Sequence, residues 1–254
     1  MDLPPVTLSE HAGVRYLHLG SIWVQGGMQI RKPQAIAIDY VQRMLASLLR
    51  LPSEALDGRA GGLAVQLGLG AGAITRFTAQ QLHMATVAVE LNPDVIEANT
   101  LFFHLPPEAE VVCGDAGAWL RQAEPASVRL LHVDLYDHEA AAPVLDSADF
   151  YADCRAVLEE GGTMAVNLFG RRSSFGDSIG RIAAAFGADQ VWSLRPTREG
   201  NTVVVAGRGV VVPGRDELVA RAAHIESRWG RLGLPARQWL RMVRPYRTTT
   251  EPPP

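Results

Sequence analysis

The spacing of apolar residues changes period along the chain, and each change marks a structural unit. Residues 6 to 25, VTLSEHAGVRYLHLGSIWVQ, form short runs broken at Ala12-Gly13 and again at Gly20-Ser21, a pattern that predicts two or three antiparallel strands. After GGMQIRKP, the residues Ala37, Val41, Met44, Leu45 and Leu48 recur at helical spacing behind a proline, so a helix is expected over residues 34 to 49. From residue 63 onward strands and helices alternate. The strands read LAVQLGL, TVAVEL, EVVCGD, VRLLHVDL and TMAVNLF, with short amphipathic segments such as DFYADCRAVLEE between them. Near-continuous apolar strands separated by helices imply a parallel sheet covered on both faces.

The alternation stops near the end. DQVWSLRP and NTVVVAG are joined only by TREG, too short for a helical crossover and suited to an antiparallel hairpin. Residues 214 to 246 then read as one or two helices, with Leu218, Ala222, Ile225 and Trp229 as a stripe, and the closing TTTEPPP reads as disordered. The expected organisation is a small N-terminal β element over residues 1–30, a nucleoside-binding α/β domain over 31–212 and a helical extension over 213–254. The expected class is α/β, with an S-adenosylmethionine-dependent methyltransferase-like (Rossmann-like) sheet of seven strands that ends in the antiparallel hairpin.

Composition narrows the partners. A chain of 254 residues, 47% apolar and 20% charged, can bury a sizeable core. A net charge of -3 gives no electrostatic reason to expect nucleic acid or an anionic membrane, which leaves a small molecule as the expected ligand. The tail holds eight arginines between Arg215 and Arg247 against three acids, read as a solvated basic face. Cys113 and Cys154 are far apart and form no CxxC, so both read as reduced thiols. The start, MDLPPVTLSEH, lacks the charge and apolar run of a signal peptide, and no run approaches bilayer length. A cytoplasmic protein is expected. The seven histidines show no metal-ligand spacing, so no metal is expected.

The chemistry concentrates at strand ends. In VQLGLGAGAIT, Gly68, Gly70 and Gly72 lie between a strand and a helix, where missing side chains let the backbone approach a ligand. Glu90 ends the next strand 22 residues after Gly68, placed to accept both ribose hydroxyls. Asp115, just past the third strand, can accept from an adenine amino group, with Ala116 offering a backbone contact. Gly68, Gly70 and Ala73 also satisfy a GxGxxA dinucleotide pattern; the Asp115 position and the terminal hairpin favour an S-adenosylmethionine-type nucleoside over NAD. VRLLHVDLYDHEA ends its strand in Asp134 and Asp137 with Tyr136 between, a set able to hold or deprotonate an amine at the ligand-collecting edge of the sheet.

Taken in order, Val24-Gln25, YVQRM at 40–44, LGLGAG, VELNP, GDA and DLYD make residues 14 to 207 resemble the spermidine synthase family of polyamine aminopropyltransferases. The resemblance implies a small N-terminal β domain, a methyltransferase-like sheet and a homodimer or tetramer. It implies aminopropyl transfer from decarboxylated S-adenosylmethionine to putrescine. By position it assigns Gln25 to the nucleoside and Gln42 to the amine side of the pocket, Glu90 to the ribose and Asp115 to the adenine. It makes Asp134 the amine-activating base, and Asp137 and Tyr136 amine contacts. The sequence departs from the family at Ala71, which replaces an acid of the glycine loop. It departs again at IRKP and Arg43, which replace acids, and at RPTREGN, which lacks a tyrosine. Ala71 lacks the acid that would repel the carboxylate of intact S-adenosylmethionine, so a methyltransferase is the alternative, and the missing amine-pocket residues make a non-catalytic homologue the third reading.

Overall fold

The computed structural model describes residues 3–57, 61–135, 145–169 and 172–247. Its N-terminal unit is a three-stranded antiparallel sheet, β1 (Val6–His11), β2 (Val14–Leu19) and β3 (Val24–Gln29), in that spatial order. Ala12 and Gly13 close the first hairpin at φ 50° and 78°, the left-handed pair that a two-residue loop needs to follow strand twist.

The helix expected over 34–49 is shorter. α1 runs Asp39–Met44 and tightens into a 3-10 segment, Leu45–Arg50. Ile36 is drawn out of helical geometry because it bridges to Met28 of β3 and donates its N–H to the Leu232 carbonyl at 2.7 Å.

The second sheet comprises β4 (Leu63–Leu67), β5 (Ala85–Glu90), β6 (Glu110–Cys113), β7 (Val128–Val133), β8 (Leu158–Phe169), β9 (Val191–Ser193), β10 (Asn201–Gly207) and the two-residue β11 (Arg244–Pro245). Its order is β11-β9-β10-β8-β7-β4-β5-β6, parallel from β8 to β6, with β10 antiparallel to both β8 and β9. The seven expected strands are joined by β11, an edge strand that a lone Arg-Pro pair gives no periodic signal for. Strand order reverses between β4 and β7, the switch point where an open α/β sheet gathers ligands beyond its carboxyl ends.

Helices α2 (Ala73–Gln80), α3 (Pro93–Phe102), α4 (Ala116–Gln122), α5 (Ala148–Val157) and α6 (Arg172–Phe186) connect the strands up to β9, and α7 (Arg215–Trp229) and α8 (Ala236–Trp239) lie between β10 and β11. On one face of the sheet, Ala64, Leu130 and Ala165 pack under Leu45, Leu48 and Trp239. Ala222, Ile225 and Trp229 of the tail stripe close this core, with Trp229 edge-on to Phe77 at 5.3 Å. On the other face Val65, Leu131 and Val166 meet Phe150 and Ile182. A third cluster joins the two sheets: Leu17 and Met28 of the N-terminal unit bury against Leu69, Ala71 and Phe103. Each of the leucine, methionine and phenylalanine side chains contributes about 1.5–3 kcal/mol on burial, so the small sheet is held firmly over the end of β4.

Both thiols are free, Cys113 exposed and Cys154 buried. Among the described residues no helix is long and apolar enough to cross a membrane.

Candidate active site

The site grows from the turn after β4. Gly68 holds φ +85°, and a Cβ there would lie 2.2 Å from the Asp134 carbonyl oxygen, so this position excludes any side chain. β3 crosses directly over the loop: a Cβ on Gly26 would meet the Ala71 nitrogen at 2.4 Å, and one on Gly70 the Gln25 carbonyl at 2.9 Å. Two buried side chains brace the loop from behind. Arg76 donates to the carbonyls of Ala71 (2.7 Å), Phe103 (2.5 Å) and Pro33 (3.2 Å), and Asn99 donates to Gly70 at 2.7 Å. Burial pushes the Arg76 pKa down to about 10, and among the described residues no carboxylate pairs with it. Gln66 fixes the start of α2 by accepting from the Thr75 N–H and hydroxyl while donating to the Gly68 carbonyl.

Glu90, at the end of β5, accepts from the Leu69 N–H and the Asn92 N–H, both at 2.9 Å, which ties the glycine loop to the start of α3. The carboxylate keeps acceptor capacity beyond these N–H groups for a ribose hydroxyl. Burial raises its pKa, opposed by the N–H groups of Asn92, Leu69 and Leu91, and the charge of Asp134 raises it further. Asp115 caps α4 by accepting from the Ala118 N–H at 2.7 Å. Gly68, Gly70, Glu90, Asp115 and Ala116 share a narrow cleft of about 120 Å³, roofed by Leu17 and Gln25 from the N-terminal sheet.

Asp134, one residue past β7, stands where this cleft joins a larger cavity of about 600 Å³, and Gln25 and Asp134 line both spaces. Its carboxylate accepts from Asn167 of β8 at 2.9 Å and from the Tyr40 hydroxyl. Asn167 in turn accepts from the Asn201 side chain at 3.1 Å, and the Asn201 N–H reaches the Thr197 hydroxyl, so a chain of amides from β8 and β10 fixes the acid's direction. Burial pushes the Asp134 carboxyl above its ordinary range, against the lowering effect of the Asn167 and Tyr40 hydrogen bonds. The Gln25 amide nitrogen, buried and without a hydrogen-bond partner among the described residues, lies at the same junction. A desolvated base, a cleft with ribose-type acceptors and an adjoining chamber can together align a nucleophile against a nucleoside.

Two expected contacts lie elsewhere. Gln42, expected to face the amine, donates its amide to the Ile36 carbonyl at 2.8 Å and lies beside Gly233, lining neither space. The unwound stretch ahead of α1 supplies that carbonyl, which is why the helical reading missed it. Gly72 begins α2 in the left-handed region and faces the Asn99 side chain instead of the cleft. Tyr136 and Asp137 lie outside the described residues. Sequence reasoning missed Tyr40, Asn167, Gly26 and Arg76. Asn167 carried a readable signal, an amide inside the otherwise apolar TMAVNLF strand, where a buried polar group needs a partner. Among the described residues no three His, Cys, Asp or Glu side chains converge as metal ligands would.

No protein-family model matches the chain. It is 30% identical over 235 residues to a polyamine aminopropyltransferase of Chromobacterium violaceum, covering 90% of this chain and 86% of that protein. A polyamine aminopropyltransferase of Neisseria meningitidis is 28% identical over 232 residues, 89% of this chain and 85% of its own length. Among solved structures, a probable spermidine synthase from Corynebacterium glutamicum superposes with a TM-score of 0.72 at 16% identity, covering 98% of this chain and 95% of that one. Human methyltransferase-like protein 13 in complex with SAH gives 0.67 at 19% identity over 84% of this chain and 97% of that one. These two structures share the fold of the large sheet with this chain.

Proposed function

The chain belongs to the polyamine aminopropyltransferase family, and on that footing we propose that it moves an aminopropyl group from decarboxylated S-adenosylmethionine to an amine acceptor. The observation that carries the reading is Asp134, desolvated and aimed by Asn167 and Tyr40, at the junction of the nucleoside cleft and the larger cavity. In this scheme Glu90 holds the ribose, Asp115 and Ala116 the adenine, and the glycine turn lets the nucleoside approach the backbone. Gln25 faces the reacting atoms. The acceptor nitrogen enters from the larger cavity and gives a proton to Asp134. Its lone pair then attacks the carbon next to sulfur as the C–S bond breaks. The electron pair returns to sulfur, and methylthioadenosine leaves as a neutral thioether.

A sulfonium is already an activated leaving group, so the protein has only to align a neutral amine and accept its proton. Ala71 favours a second reading, methyl transfer from intact S-adenosylmethionine. It is buried against Gly26 and brings to the glycine turn no acid of the kind that would repel the co-substrate's own carboxylate. Calorimetry with both co-substrates separates the two. Tighter binding of the decarboxylated form supports aminopropyl transfer, and tighter binding of the intact form supports methyl transfer. The further proposals are a homodimer, supported by the outer edge of β1, which pairs with no strand among the described residues, and action in the cytoplasm.

A further inference from the structure

The C-terminal extension, whose sequence reads as a helix pair with a solvated basic face, supports one wall of the larger cavity from behind. Ile38, Asp39 and Tyr40 line that cavity, and all three lie at the start of α1. α1 cannot fix its own position. It has six residues, and its N-cap, Ile38, supplies no side-chain bond to the first turn. Partners distant in sequence must set its place.

The extension supplies such partners at both ends of the helix. Ahead of α1, the Ile36 N–H donates at 2.7 Å to the carbonyl of Leu232, the last residue of the 3-10 turn Gly230–Leu232. The Ile36 carbonyl accepts from the Gln42 amide at 2.8 Å, which ties the approach to the helix itself. Gly233 packs on the same carbonyl: a Cβ there would lie 2.9 Å from the Ile36 oxygen and 3.2 Å from the Gln42 amide nitrogen, and φ is +97°. In the last turn of α1, Arg43 donates to the Arg195 carbonyl, and the Arg195 N–H donates to the Met242 carbonyl at 3.0 Å. Ile38 and Tyr40 pack on the same apolar cluster as Leu232 and Met242. From this helix the Tyr40 hydroxyl reaches the Asp134 carboxylate and lies 3.4 Å from the Gln25 carbonyl.

We propose that the extension is a positioning element of the reaction: it fixes α1 at both ends and so holds the Tyr40 hydroxyl against Asp134, with Gln42 as the positioning residue that carries the constraint through the Ile36 carbonyl. This rests on the reading of Asp134 as the base that takes the amine proton. None of residues 36–44 lines the nucleoside cleft, so the constraint acts on turnover and leaves nucleoside binding alone.

The test is steady-state kinetics of the full chain with decarboxylated S-adenosylmethionine and 1,4-diaminobutane over a range of pH, beside calorimetry with methylthioadenosine. Gln42→Met keeps the length of the side chain and removes its donor, at a half-buried position that accommodates methionine. The expected result is a kcat about tenfold lower, with methylthioadenosine affinity unchanged. The Tyr40 hydrogen bond lowers the Asp134 pKa, so the acid limb of kcat/KM moves to higher pH in Gln42→Met, as it does in Tyr40→Phe. Asn167 and Glu90 also face Asp134, and neither substitution touches them. In the double variant the loss is no greater than in Tyr40→Phe alone, because an absent hydroxyl needs no placing. Losses that multiply overturn the proposal. So does a Gln42→Met protein that unfolds more easily yet keeps the parent's kcat and acid limb, the mark of a purely structural contact. Gly233→Ala presses on the Ile36 carbonyl from the other side and shifts the limb in the same direction; should it not fold, Gln42→Met remains decisive. Failure of the broader reading shows separately, as no amine-dependent release of methylthioadenosine by the parent protein, and removes this proposal with it.

Discussion

Two carboxylates at the sheet's rim have been moved in the same direction by burial and serve different ends. Glu90 is held by backbone N–H groups, two of them at 2.9 Å, whereas Asp134 is held by neutral side-chain donors and lines both the cleft and the larger cavity. Asp134→Asn keeps the shape and removes the base, so turnover should fall at least about a hundredfold while nucleoside affinity is retained. Steady-state rates beside calorimetry check this; equal losses in both would mean that the residue only binds. Because the Asp134 pKa lies above its ordinary 3.8, kcat/KM should fall with decreasing pH through a value above the normal carboxylate range. His132 offers an independent residue-scale test. It is fully enclosed on β7, neither ring nitrogen has a partner among the described residues, and burial lowers its pKa from 6.5 to about 4. Below pH 6.5 the unfolded chain therefore takes up a proton that the folded chain refuses. The stability present above 6.5 is lost as pH falls through about 4, by roughly 3 kcal/mol in full. Asp134 and Glu90 act the other way: their raised values favour the folded state at low pH, where both are protonated. His132→Leu isolates the effect. Its denaturation midpoint should exceed that of the parent by more at pH 5 than at pH 8, and a constant difference would contradict this account.

At the scale of elements, the site depends on β3 lying on the glycine turn. Gly26→Ala drives a Cβ to 2.4 Å from the Ala71 nitrogen, and backbone cannot yield there as a flexible side chain would. The variant should lose about 2 kcal/mol or more of stability and bind methylthioadenosine more weakly. Thermal unfolding and calorimetry read both, and unchanged values would mean that the strand does not press on the loop. The turn itself, with Glu90 and Asp115, was legible because each residue ends or follows a strand that its own apolar run defines. Gly26 was not, because VQGGM reads as a strand weakened by glycine until the crossing of two sheets is known. The boundary of α1 failed for a related reason. Ala37 and the residues after it keep helical spacing, yet Ile36 is claimed by Met28 and Leu232, partners 8 and 196 residues away that no local pattern reveals. Gln42 followed that error, since its amide is taken by the carbonyl that the unwound stretch leaves free.

For the whole molecule, the large sheet was readable as an order of strands, and the hairpin of β9 and β10 followed from a four-residue link. The way the N-terminal sheet roofs the cleft was not readable, because it arises from the third core cluster, which joins segments from both ends of residues 17 to 103. Among the described residues the outer edge of β1 has no partner strand, and edges of this kind are usually covered. Sedimentation equilibrium should give twice the mass of the chain; a monomer at micromolar concentration would remove the homodimer.

The most direct measurement is release of methylthioadenosine from decarboxylated S-adenosylmethionine across a panel of amines, with parent protein and Asp134→Asn side by side. Release that requires an amine, and that falls about a hundredfold in the variant, is the predicted result. Absence of release with every amine, or equal release by the two proteins, would contradict transfer to a nitrogen at Asp134.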